Sequence, residues 1–238
     1  MELFHVHTYR CRHAEEIPDE AYVLKAIEMG ADSITFTDHA PFPNNQFKGR
    51  MLYEELPEYL DSINSLKAKY KDRIGIRCGL EIEYLPSLRE YYSELTGLDK
   101  LDLLLLGQHF YEISSGRYSF MYPENKLLEY KGFMEAIIQG IETGLFYAVA
   151  HPDRSFRSIK VWTSDCERMS KRVIMAAKEK GVYLEQYFSS QHHSKHYWKE
   201  FWSLVQEENK VIQGLDAHCI NDIERYVQKM REENTCIN

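Results

Sequence analysis

Histidines stand at the ends of several short, β-rich runs of this sequence. Six of the ten histidines lie at such positions, namely His5, His7, His39, His109, His151 and His218. Neutral imidazole is a good ligand for divalent transition metals. Because the carboxyl ends of parallel barrel strands meet at one mouth, residues far apart in sequence can share a site there. The positions therefore predict a metal centre assembled from distant segments of the chain.

Two pairs of candidate ligands have the spacing of side chains on one face of a strand. His5 and His7 are two residues apart, as are Asp216 and His218. Alternation along a regular strand points such pairs to the same side, so that both can reach one ion. Glu81 ends a third β-rich run and offers a carboxylate that can bridge two ions.

Other potential donors have weaker support. His13 lies in the loop after the first strand and can fold back over the mouth. Cys11 and Cys219 lie near proposed ligands and could coordinate a soft metal, but a hard metal site prefers nitrogen and oxygen donors, so we interpret them as inert thiols. A rival cluster consists of His192, His193 and His196. No carboxylate accompanies it at ligand spacing, which favours a solvated loop leading into a helix.

Short β-rich runs alternate with longer amphipathic runs along the whole chain. The predicted strands cover residues 2–7, 33–37, 75–81, 101–107, 145–150, 182–185 and 210–214. The predicted helices cover residues 18–30, 53–70, 86–95, 123–144, 164–180 and 196–208, with a last helix capped by Asn221. This alternation is typical of parallel strands joined by crossover helices. Seven such units without a linker predict one closed or nearly closed α/β barrel over residues 1–238, with an open doubly wound sheet as the alternative.

The charge balance, the apolar runs and the cysteines of the chain indicate which partners and which compartment suit this protein. Acidic residues outnumber basic ones by 37 to 29, which opposes broad binding to nucleic acid or anionic membranes. No run approaches the length of a membrane helix, and the first residues do not resemble a secretory leader. Five cysteines without a CxxC pair suit a reducing compartment. We expect a cytoplasmic protein with a small-molecule partner, and the sequence leaves its oligomeric state open.

Six short segments, taken in order, resemble those of a known enzyme family. They are His5-Val6-His7, Thr37-Asp38-His39, Gly79-Leu80-Glu81, Gly107-Gln108-His109, Ala150-His151-Pro152-Asp153 and Asp216-Ala217-His218. The sequence resembles the polymerase and histidinol phosphatase (PHP) family, and is most similar to its monofunctional histidinol-phosphate phosphatases. The resemblance implies a distorted seven-stranded (β/α)7 barrel, similar to a TIM barrel, that acts as a single metal-dependent phosphoesterase domain.

The resemblance also implies a ligand set for three divalent ions, which can be zinc, iron or manganese. The first ion would be held by His5, His7, Glu81 and Asp216; the second by Glu81, His109 and His151; the third by His13, His39 and His218. The implied activity is hydrolysis of L-histidinol phosphate in histidine biosynthesis, by attack of a hydroxide that bridges the first two ions. Glu81, Asp216 and His218 are the expected catalytic residues, the last two as candidates for passing a proton.

Arginines are the candidate ligands for the phosphate group of the substrate. Arg154 is preferred because a guanidinium can contact two phosphate oxygens at once, and Arg157 and Arg10 are weaker candidates. Glu83 or Glu112 could attract the ammonium group of the amino alcohol.

Two other functions remain open at the level of sequence. The same metals could serve a different phosphate ester, such as a phosphotyrosine protein, a small nucleotide or a nucleic acid cut by an exonuclease. Alternatively, the chain could be a noncatalytic PHP module that stabilises a partner protein. The complete set of candidate ligands disfavours the noncatalytic module, and the acidic charge disfavours nucleic acid.

Overall fold

The computed structural model describes residues 1–122, 128–188 and 196–235. Its strands are β1 (Glu2–Val6), β2 (Ser33–His39), β3 (Gly75–Ile82), β4 (Leu103–Leu106), β5 (Glu112–Ser114), β6 (Arg117–Tyr118), β7 (Ala148–Val149), β8 (Tyr183–Tyr187) and β9 (Val211–Ala217). Seven of them form a closed barrel in the order β1-β2-β3-β4-β7-β8-β9. This order confirms the predicted barrel and excludes the open sheet. The antiparallel hairpin β5–β6 was not predicted.

The helices follow the strands in alternation. They are α1 (Asp19–Glu28), α2 (Leu56–Lys69), α3 (Arg89–Thr96), α4 (Glu129–Glu142), α5 (Ser164–Lys180), α6 (Lys199–Trp202) and α7 (Ile220–Thr235). The predicted helix over residues 196–208 is wrong, since only four residues are helical there. The predicted cap at Asn221 is also wrong, because α7 begins one residue earlier and the Asp222 carboxylate accepts the backbone N–H groups of His218 and Cys219.

One compact unit comprises residues 1–80, 99–103 and 214–238. Within it, β1 pairs in parallel with β2 and with β9, so that Phe4 lies between Thr35 and Gly214. The phenol of Tyr59, on α2, donates a hydrogen bond of 2.8 Å to the carbonyl of Gly79. That bond holds the helix against β3 inside the core of this unit.

A second compact unit comprises residues 81–98 and 104–213. Its strand β4 pairs in parallel with β7 through Leu105 and Ala148. Helix α4 approaches β4 closely, because a Cβ atom added at Gly140 would lie 2.7 Å from Leu106 Cδ2. The uninterrupted leucine run is buried, as expected for a strand covered on both faces.

No helix in the described residues is long and apolar enough to cross a membrane.

The observed lengths of two barrel strands next to candidate ligands differ from the predicted lengths. β7 has two residues where six were predicted, whereas β9 extends three residues past the predicted end to Ala217. That the whole chain forms one domain stays a prediction.

Candidate metal centre

A bulge in β1 brings the first two candidate ligands together. His5 has a φ of 72°, and the pairing of β1 with both neighbours shifts register between Phe4 and Val6. The two rings meet, with Nε2 of His5 lying 3.0 Å from Nε2 of His7. Regular alternation is therefore not the reason for their approach. An irregular backbone turns the rings toward each other, a conformation that persists where its surroundings enforce it.

These two histidines and Asp216 form what we call the first cluster. The Asp216 carboxylate Oδ1 lies 3.2 Å from His7 Nε2 and 3.7 Å from His5 Nε2. A tetrahedral ion with ligands at about 2.1 Å separates its donor atoms by roughly 3.4 Å. The three donors thus have the spacing of ligands around a single ion.

The electrostatics of the first cluster favour a positive charge. Burial alone would lower the pKa of His7, but its contacts with the carboxylates of Asp216 and Asp38 outweigh burial and raise the pKa to about 9. Burial would also raise the pKa of Asp216, yet the charge of His5 and the contact with His7 hold it well below its usual range. The carboxylate is therefore ionised at neutral pH and stabilises a cation beside it.

The second cluster consists of His13, His39 and His218. One donor nitrogen from each lies within 4.8 Å of the others, and His13 Nε2 is 2.9 Å from His218 Nε2. Burial lowers the pKa of His218 to about 4, so this ring is neutral at pH 7.

Backbone carbonyls select the tautomer of two rings in the second cluster. His13 Nδ1 lies 2.8 Å from the carbonyl of Cys11, and His218 Nδ1 lies 2.9 Å from that of Asp216. A carbonyl only accepts hydrogen bonds, so Nδ1 carries the proton in both rings and Nε2 presents a lone pair. Two lone pairs that face each other at close range call for a cation between them.

The third cluster, in the other compact unit, consists of Glu81, His109 and His151. Glu81 Oε1 lies 3.3 Å from His151 Nε2 and 3.6 Å from His109 Nε2. Glu81 and His151 are both buried, and burial lowers the pKa of His151. A neutral imidazole beside a carboxylate has the donor character that a divalent metal requires.

Gly107 provides the space that the Glu81 carboxylate occupies. A Cβ atom added at Gly107 would lie 2.1 Å from Glu81 Oε1. The backbone just after β4 is therefore shaped around this carboxylate, and a larger residue at position 107 would displace it. The His151 ring is likewise fixed by its backbone, which has a φ of 32° and donates its N–H to Glu185 at 3.0 Å.

Every predicted metal ligand lies in one of the three clusters. Their donor atoms are close enough, within each compact unit, for metal binding. That Glu81 bridges two ions stays a prediction.

The candidate phosphate ligands differ in their surroundings. The Arg10 guanidinium is buried and contacts Asp19 at 2.8 Å and Glu58 at 2.8 Å, which favours a structural role. Arg154 lies half-buried in the helical turn that follows His151. Arg157 ends that turn, and its guanidinium lies 3.4 Å from the carbonyl of His109.

Sequence reasoning missed two buried acids that contact residues of the clusters. Asp38 Oδ1 lies 3.6 Å from His7 Nδ1 and accepts the backbone N–H of His39 at 2.8 Å. Glu185 accepts the backbone N–H of His151. Metal-binding histidines usually have such an acceptor beside them, so acids within a few residues of a strand-end histidine were an available signal for Asp38. No local signal marks Glu185.

The structure also describes the buried thiol of Cys11, which lies near two of the candidate ligands. Cys11 is buried within 4.8 Å of donor atoms of His7 and His218, and burial raises its pKa to about 12. It is therefore a neutral thiol at pH 7, in keeping with the predicted inert role. Two members of the rival cluster, His192 and His193, lie outside the described residues.

A family model and the relatives of this chain point to the same protein family. The PHP domain model matches residues 4–187. The histidinol-phosphatase of Bacillus subtilis is 27% identical over 256 residues, covering 92% of this chain and 94% of that protein. A protein of Deinococcus radiodurans named "Probable histidinol-phosphatase" is 29% identical over 63% of this chain, and the match spans only 59% of that protein.

A solved structure shares the fold. The histidinol phosphate phosphatase of Lactococcus lactis, in complex with zinc, L-histidinol and phosphate, superposes with a TM-score of 0.72. It is 21% identical, and the alignment covers 96% of this chain and 92% of that one.

Proposed function

The chain belongs to the PHP domain family, and we propose that it is a metal-dependent phosphatase that hydrolyses L-histidinol phosphate to L-histidinol and phosphate in histidine biosynthesis. The observation that carries this proposal is the spacing of nitrogen and oxygen donors in the three clusters, between 2.9 and 3.7 Å for the closest pairs. The names of the relatives, and the ligands of the Lactococcus lactis structure, support the choice of substrate.

The donor set fits divalent ions of intermediate softness. Imidazole and carboxylate suit zinc, iron or manganese. We propose three ions, one at each cluster, with Glu81 also contributing to the ion at His5 and His7 as the family resemblance implies. When bound, such ions activate water as a nucleophile and stabilise negative charge on phosphoryl oxygens.

The chain's own residues hold and orient the substrate. Arg154 is our choice for the phosphate, because a guanidinium donates two parallel hydrogen bonds to its oxygens. Arg157 lies in the same turn and is the second candidate, whereas the two carboxylates around Arg10 compete with a phosphate there. At pH 7, His218 is neutral and Asp216 is ionised, so each offers a lone pair to a metal ion, whereas their low pKa values make both of them weak proton acceptors.

The net charge and the cysteines of the chain agree with a small substrate and a reducing compartment. Its formal net charge is −8, which opposes polyanionic partners. The cysteines that the structure describes, Cys11, Cys78, Cys166 and Cys219, are free thiols. We therefore retain the proposal of a cytoplasmic enzyme that acts on a small phosphate ester.

A substrate panel tests the function. Metal-reconstituted protein should be assayed with L-histidinol phosphate, a phosphotyrosine peptide, nucleoside monophosphates and a short DNA strand. We expect kcat/KM for histidinol phosphate to exceed the others by at least roughly 100-fold, a difference of about 3 kcal/mol in transition-state binding. Preference for another ester would contradict the substrate assignment, and no turnover by fully loaded protein would favour the noncatalytic module.

A further inference from the structure

A buried carboxylate contacts His109 on the ring nitrogen opposite the one nearest Glu81. Glu83 Oε1 lies 3.0 Å from His109 Nδ1, whereas Glu81 Oε1 lies 3.6 Å from His109 Nε2. Glu83 is only 1% exposed. This burial argues against the expectation that Glu83 attracts the ammonium group of a substrate, and it assigns the carboxylate to the ring.

Hydrogen bonds of neighbouring residues fix the positions of Glu83 and His109. The side chain of Gln108 accepts the N–H of Tyr84 at 3.0 Å and donates to the carbonyl of Tyr84 at 3.2 Å. The segment that contains His109 is thereby tied to the segment that contains Glu83. The buried phenol of Tyr92 also donates to the carbonyl of Glu83 at 2.8 Å. The carboxylate therefore faces the ring from a fixed backbone.

A carboxylate at this distance determines where the ring carries its proton. An ionised carboxylate only accepts hydrogen bonds, so Nδ1 donates and the lone pair resides on Nε2. We propose that Glu83 is a positioning residue that fixes His109 as the Nδ1–H tautomer and presents its Nε2 to a metal ion at the third cluster. The proposal rests on the proposed function of that cluster.

The second cluster shows the same device with a different acceptor. There, backbone carbonyls accept from Nδ1 of His13 and of His218. A carboxylate adds a negative charge, which makes the opposite nitrogen a stronger donor to a cation. Unlike a carbonyl, it can also be removed by substitution.

Zinc affinity and the tautomer of His109 together test the role of Glu83. We would compare wild type with Glu83→Gln, which keeps an acceptor oxygen but removes the charge, and with Glu83→Ala. The matched control is Glu135→Gln, since Glu135 is a surface carboxylate that pairs with Arg172. Competition with a chromophoric chelator should show zinc binding at one site weakened roughly 10- to 100-fold in Glu83→Ala, less in Glu83→Gln, and unchanged in the control.

Nitrogen-15 NMR of the histidines in metal-free protein reports which ring nitrogen carries the proton. If Glu83 only stabilised the fold, its substitution would not change the tautomer of His109. Wild type should show His109 as the Nδ1–H tautomer, and Glu83→Ala should show a mixture of tautomers. Wild-type zinc affinity and an unchanged tautomer in both Glu83 variants would overturn the proposal while leaving the proposed function intact. If Glu83→Ala does not fold, Glu83→Gln decides. A wild type that binds no zinc would instead overturn the proposed function, and the tautomer would still decide the role of Glu83.

Discussion

Three predicted metal ligands have left-handed backbone conformations, which side chains other than glycine rarely adopt. The φ angles are 72° at His5, 32° at His151 and 49° at Asp216. Such conformations cost free energy and persist where the surrounding structure enforces them, often at functional sites. At His5, the conformation coincides with the bulge that turns its ring toward His7. At the scale of single residues, the backbone thus positions donors that a regular strand would point elsewhere.

The space beside Glu81 gives a direct test at a single residue. Gly107→Ala should displace the Glu81 carboxylate, because the new Cβ would lie 2.1 Å from its Oε1. We expect metal content to fall and kcat/KM to drop by at least roughly 10-fold, equivalent to about 1.4 kcal/mol. The matched control is Gly75→Ala, whose Cβ meets its nearest neighbour at 3.4 Å. Normal metal content and turnover in Gly107→Ala would show that this contact does not matter.

The phosphate ligand is tested by the kinetics of an arginine variant. Removing a charge-assisted hydrogen bond costs about 1.5–3 kcal/mol. Arg154→Ala should therefore raise KM for the ester, and the inhibition constant of inorganic phosphate, by roughly 10- to 100-fold without loss of metal. Arg172→Ala is the control, because that exposed arginine pairs with Glu135 on the surface. Unchanged phosphate inhibition in Arg154→Ala would move the assignment to Arg157.

At the scale of elements, local signals predicted some boundaries well. Helix α5 begins and ends where expected, since Thr163 caps its first turn and Gly181 ends it with a φ of 67°. The short helix α6 could not be predicted in this way. Its approach is fixed by Asp153, which accepts the backbone N–H of Trp198 at 3.0 Å and the indole N–H of Trp202 at 2.9 Å. These contacts join residues more than forty positions apart, and no local propensity encodes them.

The same carboxylate predicts a pH dependence of stability. Burial raises the pKa of Asp153 to about 6, above its value in the unfolded chain. Its protonated form therefore adds stability that is fully present below about pH 4 and is lost as the pH rises through about 6. In urea unfolding of metal-stripped protein, wild type should lose on the order of 3 kcal/mol across this window relative to Asp153→Asn.

A second aspartate serves as the control for that experiment. Asp165 is partly exposed, and its hydrogen bond with Lys131 lowers its pKa. Its contribution has the opposite sign, so Asp165→Asn should remove stability that wild type gains as the pH rises from acid. Parallel stability curves for wild type and Asp153→Asn between pH 4 and 7 would contradict the assigned pKa of Asp153.

Across the whole molecule, the candidate ligands were predicted from one property of the barrel, namely that the carboxyl ends of its parallel strands meet at one mouth. The candidate ligands run from His5 to His218 along the chain, yet the three clusters group them as strand order in a parallel barrel requires. The sequence predicted a closed or nearly closed barrel, but it left an open sheet as the alternative, because alternating strands and helices occur in both folds. The sequence could not predict that Glu185 accepts the N–H of His151, nor that Arg10 pairs with two carboxylates, because these contacts depend on packing between distant segments.

We propose that metal ions at the three clusters make this chain a phosphatase for histidinol phosphate. The most direct measurement is release of phosphate from L-histidinol phosphate by chelator-stripped protein, titrated with zinc, manganese or iron(II) while bound metal is counted. We predict negligible turnover in the stripped protein and recovery as sites fill, to a plateau near three ions per chain. Full turnover by protein that holds no metal, or no turnover by protein with every site filled, would contradict this role of the metal ions.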